Sequence, residues 1–216
     1  MAEVEVLPGY NQAISMTAIR YELHFLLLSI AACAYVVLGG ILAANPLLLY
    51  GLMGAFHATT IVASLREQGL DNSWKAVFFI ALAGVWSIAT YFLAMMVDVG
   101  FWPVYPKLTS LQGSFVLVFI FLVGSAIGSS GYWLMVRLFW VKSLRLADWF
   151  RTVALCLAAT FSACMMFGGG IHFDLDNFKT DLPWTITWWF AFSLSLYWSE
   201  TRKAARTRLQ SIESAS

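Results

Sequence analysis

The sequence predicts an all-α, polytopic membrane protein with six transmembrane helices and both termini in the cytoplasm. Two observations carry this prediction: six long apolar runs, and basic residues that fall almost entirely on one side of them. The chain is 60% hydrophobic and only 12% charged, whereas an average soluble domain has about 25% charged residues. A hydrocarbon core about 30 Å thick needs about 20 helical residues to cross it, and each run approaches or exceeds that length.

The first two runs, residues 22–44 and 46–65, are separated by Asn45 and Pro46. Asparagine is a preferred N-cap and proline a preferred first helical residue, so these runs should form a tight antiparallel hairpin. The segment before Arg20 lacks the basic start of a signal peptide, and we expect the first run to remain as a helix. The other four runs are residues 74–99, 114–141, 149–171 and 184–199.

The distribution of basic residues sets the predicted orientation. Of the 13 Lys and Arg residues, all but Lys107 and Lys179 lie in segments on the same side as the N-terminus. The positive-inside rule places that side in the cytoplasm, in a plasma or bacterial inner membrane. Residues 1–216 then form a single transmembrane domain, with a polar cytoplasmic segment 1–21 and a basic cytoplasmic tail 200–216.

The charge pattern also limits the partners. A formal net charge of +1 gives no reason to expect nucleic acid. The tail carries four basic residues directly after the last run, and such clusters attract anionic lipid. Docking of the tail onto an acidic partner subunit is the alternative. The basic residues of the tail are Arg202, Lys203, Arg206 and Arg208.

Small residues suggest how the helices pack. Small faces let helix backbones approach closely in a membrane, where no hydrophobic force drives association. The fourth and fifth runs each carry such a face, so we predict that these two helices pair through them. The residues concerned are Gly124, Gly128 and Gly131 in the fourth run, and Ala154, Ala158 and Ser162 in the fifth.

The predicted membrane interior is almost free of titratable side chains. His57 is the one such group expected deep in the bilayer, where it either bonds a neighbouring helix, contacts a ligand together with Thr59 and Thr60, or ligates a metal or haem. Coupled carriers usually keep an acidic or basic residue near the midplane, and none is present here. A bis-histidine haem would need a second histidine at the depth of His57, but His24 is expected near the cytoplasmic edge. No cofactor is identified by these residues.

Two further features of the sequence allow a functional interpretation without establishing one. Trp188, Trp189 and Phe190 form the one aromatic cluster deep enough in a run to line a ligand groove. His172, Asp174 and Asp176 alternate in an outer loop, so extended backbone would place all three on one face, as a divalent cation would require. A solvated polar loop is the other reading, and the sequence assigns no metal site.

No catalytic set of acid, base, nucleophile and metal ligands converges in this sequence. We therefore expect a non-catalytic, structural or accessory subunit of a larger membrane complex, bound to lipid and to other membrane subunits or further copies of itself. The alternative is a small channel or facilitator for a neutral or weakly polar solute. Its path would be lined by His57, Thr59, Thr60, Ser125 and Ser129.

Overall fold

The computed structural model describes residues 18–42, 45–65, 73–167 and 178–213. These residues form helices joined by short connections, with no strand beyond an isolated bridge between Ile19 and Leu65. The predicted all-α class is confirmed. The helices are α1 (Tyr21–Leu42), α2 (Pro46–Ala63), α3 (Ser73–Phe101), α4 (Ser110–Phe139), α5 (Leu146–Phe167) and α6 (Phe178–Glu213), with a 3-10 turn at Tyr105–Lys107.

Four helices in the described part of the chain are long and apolar enough to cross a membrane. They are α1, α3, α4 and α5, over Tyr21–Leu38, Ser73–Phe101, Gln112–Phe139 and Leu146–Met166. α2 is a shorter apolar helix. α6 runs for 36 residues, about 54 Å at 1.5 Å per residue, and joins an apolar first part to the charged tail. The chain is therefore a helical membrane protein.

Local capping explains where two of the helices begin. Asn45 caps α2 by accepting a hydrogen bond from the Leu48 amide at 3.2 Å, and Pro46 takes the first helical position as predicted. α4 begins four residues before its predicted start because Thr109 and Gln112 form a reciprocal capping box. The Thr109 amide donates to Gln112 Oε1 at 2.9 Å, and the Gln112 amide donates to Thr109 Oγ1 at 3.3 Å.

The helices form a ring in which each packs against its neighbour in sequence and α1 returns to α6. One end of this bundle, the tail end, gathers the start of α1, the end of α2, the α4–α5 connection and the point where α6 continues as the tail. The opposite end, the loop end, carries the α3–α4 connection. This arrangement brings residues of α1, α2, α4 and α6 together inside the ring.

Polar contacts fix the tail to the bundle. Lys203 Nζ lies 3.2 Å from Asp148 Oδ2 at the start of α5 and also donates to the main-chain oxygen of Ser143. The Asp148 carboxylate accepts from the Arg145 amide at 2.8 Å and pairs with Arg151 at 3.4 Å. The α4–α5 connection is thus held against α6 beyond its apolar part.

The glycines of α4 pack differently from the prediction. A Cβ added at Gly131 would lie 2.1 Å from the Trp86 indole of α3, and one at Gly128 would lie 3.3 Å from Thr90 of the same helix. One added at Gly124 would lie 3.5 Å from Ala94, also in α3. The glycine face of α4 therefore packs on α3 and not on α5.

α4 and α5 are nevertheless neighbours, joined by polar side chains. Thr160 Oγ1 donates to Ser125 Oγ at 2.9 Å, and Trp149 Nε1 donates to Ser130 Oγ at 3.1 Å. The small face of α5 takes no part in this contact, because its residues point away from the bundle. Ala154, Ala158 and Ser162 are all exposed.

Candidate functional site

Two histidines from different helices meet at one serine in the centre of the ring. His24 Nε2 of α1 lies 2.8 Å from Ser193 Oγ of α6, and His57 Nε2 of α2 lies 3.1 Å from the same oxygen. All three side chains have no exposed surface, and the two imidazole centroids are 6.2 Å apart. We call these residues the His–Ser–His cluster.

The expected difference in depth between the two histidines is wrong. α1 and α2 are antiparallel, so the start of α1 and the end of α2 lie at the same end of the bundle. At 1.5 Å per residue, His24 is about 4.5 Å from the start of α1 and His57 about 9 Å from the end of α2. Side chains easily span the remaining difference. Ser193 fills the space between the two Nε2 atoms, so a porphyrin does not fit between these rings.

The chemistry of the cluster fixes a direction for its hydrogen bonds. A serine hydroxyl has one proton, so Ser193 donates to one imidazole and accepts from the other. The two neutral rings must then be opposite tautomers. Both Nδ1 atoms lack a partner of good geometry among the described residues, although the Thr60 main chain lies beside the His24 ring. The order that leaves the fewer unpaired donors is His57 to Ser193 to His24, with the His24 Nδ1–H facing Thr60.

Aromatic rings enclose His57. Tyr132 and Trp189 lie nearly parallel to the imidazole, with centroids at 4.9 and 5.8 Å, and Trp188 and Phe192 contact it edge-on at 5.8 and 5.6 Å. The Tyr132 hydroxyl also reaches the Gly54 carbonyl of α2 at 3.5 Å. This cage fixes the ring plane, so rotation of His57 requires its neighbours to move.

The cluster continues towards the tail end through Tyr21 and Glu200. The Tyr21 ring centroid is 6.2 Å from that of His24, and the Tyr21 hydroxyl faces the Glu200 carboxyl. Glu200 lies just beyond the predicted sixth span, and its Oε1 accepts from the Ala18 amide at 3.4 Å. Burial raises the pKa of the Glu200 carboxyl above its ordinary value, although Tyr21, nearby amides and Lys203 partly oppose this.

A narrow apolar cleft lies on the other side of the ring cage. It is bounded by α2, α3, α4 and α6, and its volume is about 40 Å³. A smaller extension of about 20 Å³ reaches Tyr132 and Trp188 of the cage. A water needs about 10–15 Å³ measured in this way, and a cavity that binds benzene has about 150 Å³, so the cleft admits molecules of water size and excludes rings. Its residues include Met53, Ser87, Thr90, Gly124 and Trp184.

The structure disperses most of the predicted path residues. Thr60 lies beside the cluster, but Thr59 is exposed on the outside of α2, where its hydroxyl bonds the Ala55 carbonyl. Ser125 faces Thr160, and the hydroxyl of Ser129 bonds the Ser125 carbonyl at 2.7 Å. Neither serine lines the cleft.

Sequence reasoning did not assign His24, Ser193 and Glu200 to one site. Their only signal is positional: each lies within about two helical turns of the end of an apolar run, on the same predicted side. The cluster Trp188-Trp189-Phe190 does reach the site, because Trp188 and Trp189 form part of the His57 cage. Residues 172–176, with the predicted cation-binding pattern, lie outside the described residues. Within the described part of the chain, no group of three or more His, Cys, Asp or Glu side chains could hold a metal ion.

Comparison with known proteins provides no functional guide. No family model matches the chain, and no curated protein or solved structure is significantly similar to it.

Proposed function

We propose that this protein is a non-catalytic integral membrane subunit of a larger membrane complex. We further propose six crossings with both termini in the cytoplasm of a plasma or inner membrane. Support for this orientation comes from the basic residues, since the tail end of the bundle carries Arg145, Arg151 and Lys203, whereas the described loop end carries Lys107.

The observation that carries the subunit proposal is the exposed small face of α5. Ala154, Ala158 and Ser162 recur at spacing four and stay unused within the bundle. In a bilayer such a face favours close approach of another helix, because packing contacts and main-chain proximity drive association there. We propose a transmembrane helix of another subunit, or of a second copy, as its partner.

The tail provides a second, independent observation. α6 extends to Glu213, about 20 Å beyond Glu200 at 1.5 Å per residue. Leu209 and Ile212 on this extension are each 61% exposed. Exposed apolar residues outside the membrane core mark interaction surfaces when they group on one side, and residues three apart on a helix are neighbours.

The test is purification from native membranes in mild detergent, followed by mass spectrometry of stoichiometric companions. Ala158→Phe should abolish co-purification while leaving the bundle intact, since this side chain is exposed on the outer face of α5. Leu138→Phe is the matched control, because Leu138 is exposed on α4 and has no Gly, Ala or Ser three or four residues away. Companions that survive Ala158→Phe, or a protein that elutes alone, would contradict the proposal.

A small-solute facilitator is the second candidate, favoured by the cleft beside the His57 cage. The cleft's size restricts the solute to molecules about as large as water. Liposomes containing the purified chain should then show faster flux of such a solute, and His57→Ala should change that rate. Equal rates for both proteins and for empty liposomes would exclude this function.

A further inference from the structure

The polar groups buried inside the bundle lie in one sequence from its centre to the tail end. His57, Ser193 and His24 are joined by two hydrogen bonds of 3.1 and 2.8 Å. Tyr21 follows His24, and the Glu200 carboxyl follows Tyr21 where α6 leaves the bundle.

Several polar atoms of these groups are buried without a hydrogen-bond partner among the described residues. A buried polar atom without a partner is unfavourable, and both histidine Nδ1 atoms and Glu200 Oε2 lack a partner of good geometry among the described residues. Polar residues retained inside a membrane mark ion or proton pathways.

The side of the cluster away from the tail is reached by the cleft. Its inner extension ends at Tyr132 and Trp188, and both rings contact the His57 imidazole. The Thr90 hydroxyl lines this extension, is buried, and lacks a partner among the described residues. Because the cleft admits molecules of water size, a proton carried by water can come up to the cage from the loop-end half.

We propose that the protein conducts protons through the His–Ser–His cluster, between the cleft and Glu200. A proton bound at His57 Nδ1 makes an imidazolium, which passes its Nε2 proton to Ser193 Oγ. The Ser193 hydroxyl proton moves to His24 Nε2 at the same time. His24 then releases its Nδ1 proton, which leaves the cluster towards Glu200, the buried carboxyl that follows His24 and Tyr21 at the tail end. One proton enters and one leaves, and no oxidant or reductant takes part.

Ser193 is the residue whose substitution tests proton transfer between the two histidines most specifically. Ser193→Ala takes away the hydroxyl that carries the proton between the two rings and keeps nearly the same volume. The matched control is Ser195→Ala in the same helix. Ser195 is also buried and hydrogen-bonded, but its hydroxyl lies 2.8 Å from Thr152 of α5, away from the histidines.

The experiment is proton flux into liposomes that hold the purified full-length chain and a trapped pH-sensitive dye. A potassium gradient with valinomycin sets the membrane potential. We expect wild type and Ser195→Ala to acidify the lumen faster than protein-free liposomes, and Ser193→Ala to lose this excess flux. Wild-type flux equal to that of empty liposomes would overturn the proposal. So would equal losses in the two serine variants, or full flux in Ser193→Ala.

A second measurement keeps the test independent of folding defects. Nitrogen-15 spectra of histidine in bilayers distinguish an imidazole that carries its proton on Nε2 from one that carries it on Nδ1. In wild type, His57 and His24 should be opposite tautomers, and Ser193→Ala should change both signals while Ser195→Ala changes neither. Identical tautomers in wild type would break the proposed order of donors.

Discussion

The two halves of this bundle pack differently. Towards the tail end, the interior is closed and carries polar groups: Ser193 joins two histidines, and Lys203 clamps α6 to the α4–α5 connection. Towards the loop end, Tyr50, Met53 and Trp184 border a cleft of about 40 Å³. The cage around His57 separates these halves.

This difference indicates which half holds the helices in register and which half can change. Hydrogen bonds between α1, α2 and α6 allow one relative position of these helices, whereas apolar contacts around a cleft tolerate several. Substitutions should therefore be more destabilising in the tail-end half and at close helix contacts than at positions that face the open cleft. The predictions below test that contrast, beginning with the largest effect.

The first prediction compares one substitution at two helical glycines. At Gly54, an added Cβ would lie 2.2 Å from both the Ala83 carbonyl oxygen and the Ser87 hydroxyl, so α2 and α3 must move apart. We expect Gly54→Ala to cost about 3 kcal/mol, the upper end for overpacking. At Gly124, which lines the cleft, the new Cβ meets Ala94 at an ordinary 3.5 Å.

Gly124→Ala should therefore be neutral or more stable by up to about 1 kcal/mol, since alanine favours the helix. Thermal unfolding in one detergent measures both variants. Equal costs at the two glycines would show that a position facing the cleft is no more tolerant than the close α2–α3 contact at Gly54.

The second prediction concerns the stability that the cluster provides. Ser193→Ala leaves both Nε2 atoms without their shared partner, at a cost of about 2 kcal/mol in the free energy of unfolding. Ser29→Ala serves as a control, because Ser29 is exposed and bonds only the Phe25 carbonyl of its own helix. Denaturant titration of both variants gives the difference. A Ser193→Ala protein as stable as wild type would show that the bridge contributes nothing to the fold.

The third prediction concerns the clamp on the tail. Lys203→Met removes the contacts to Asp148 and Ser143, so the end of α6 should detach more often, at a cost of about 1 kcal/mol. Trypsin should then cut after Arg206 faster than in wild type. Arg151→Met is the control, because it removes the more exposed partner of Asp148 and leaves the Lys203 contact in place. An unchanged cleavage rate would mean that the clamp does not hold the tail.

The fourth and smallest prediction is a pH dependence. Burial raises the pKa of Glu200 in the folded protein above its ordinary value of 4.5. The folded state therefore holds this proton more tightly than the unfolded state, and the associated stability is present below that pH and lost as pH rises through the folded pKa.

Glu200→Gln, which stays neutral, should match wild type at low pH and become the more stable protein as pH increases. The measurement is the difference in melting temperature between the two proteins across this range. A difference that stays constant with pH would show that Glu200 is not held in a buried environment.

The sequence predicts where the helices lie, but it does not predict which of their faces pack together. Apolar run length and the caps at Asn45 and Pro46 are local, so the positions of the helices and the first hairpin could be predicted, although α4 and α6 begin before their predicted runs. The packing of each face of α4 against its neighbours is not determined by the local sequence. Gly128 and Gly131 permit close approach by any helix, and Trp86, which belongs to α3, decides the outcome.

The candidate site escaped prediction for a related reason. Distance along each apolar run predicts His24 at the membrane edge and His57 in the interior. The bond through Ser193 depends on side-chain reach and on α6 lying beside both α1 and α2. A lone serine in an apolar helix carries no sequence signal for such a role.

The most direct test of this account is the distance between the imidazole nitrogens of His24 and His57 in lipid bilayers. Magnetic-resonance dipolar measurements on protein with nitrogen-15-labelled histidine give this distance. The structure predicts that both Nε2 atoms lie within hydrogen-bond reach of one oxygen, with ring centroids 6.2 Å apart, and that Ser193→Ala alters both resonances. Rings too far apart for one serine to bridge would contradict the central cluster and the proton path built on it.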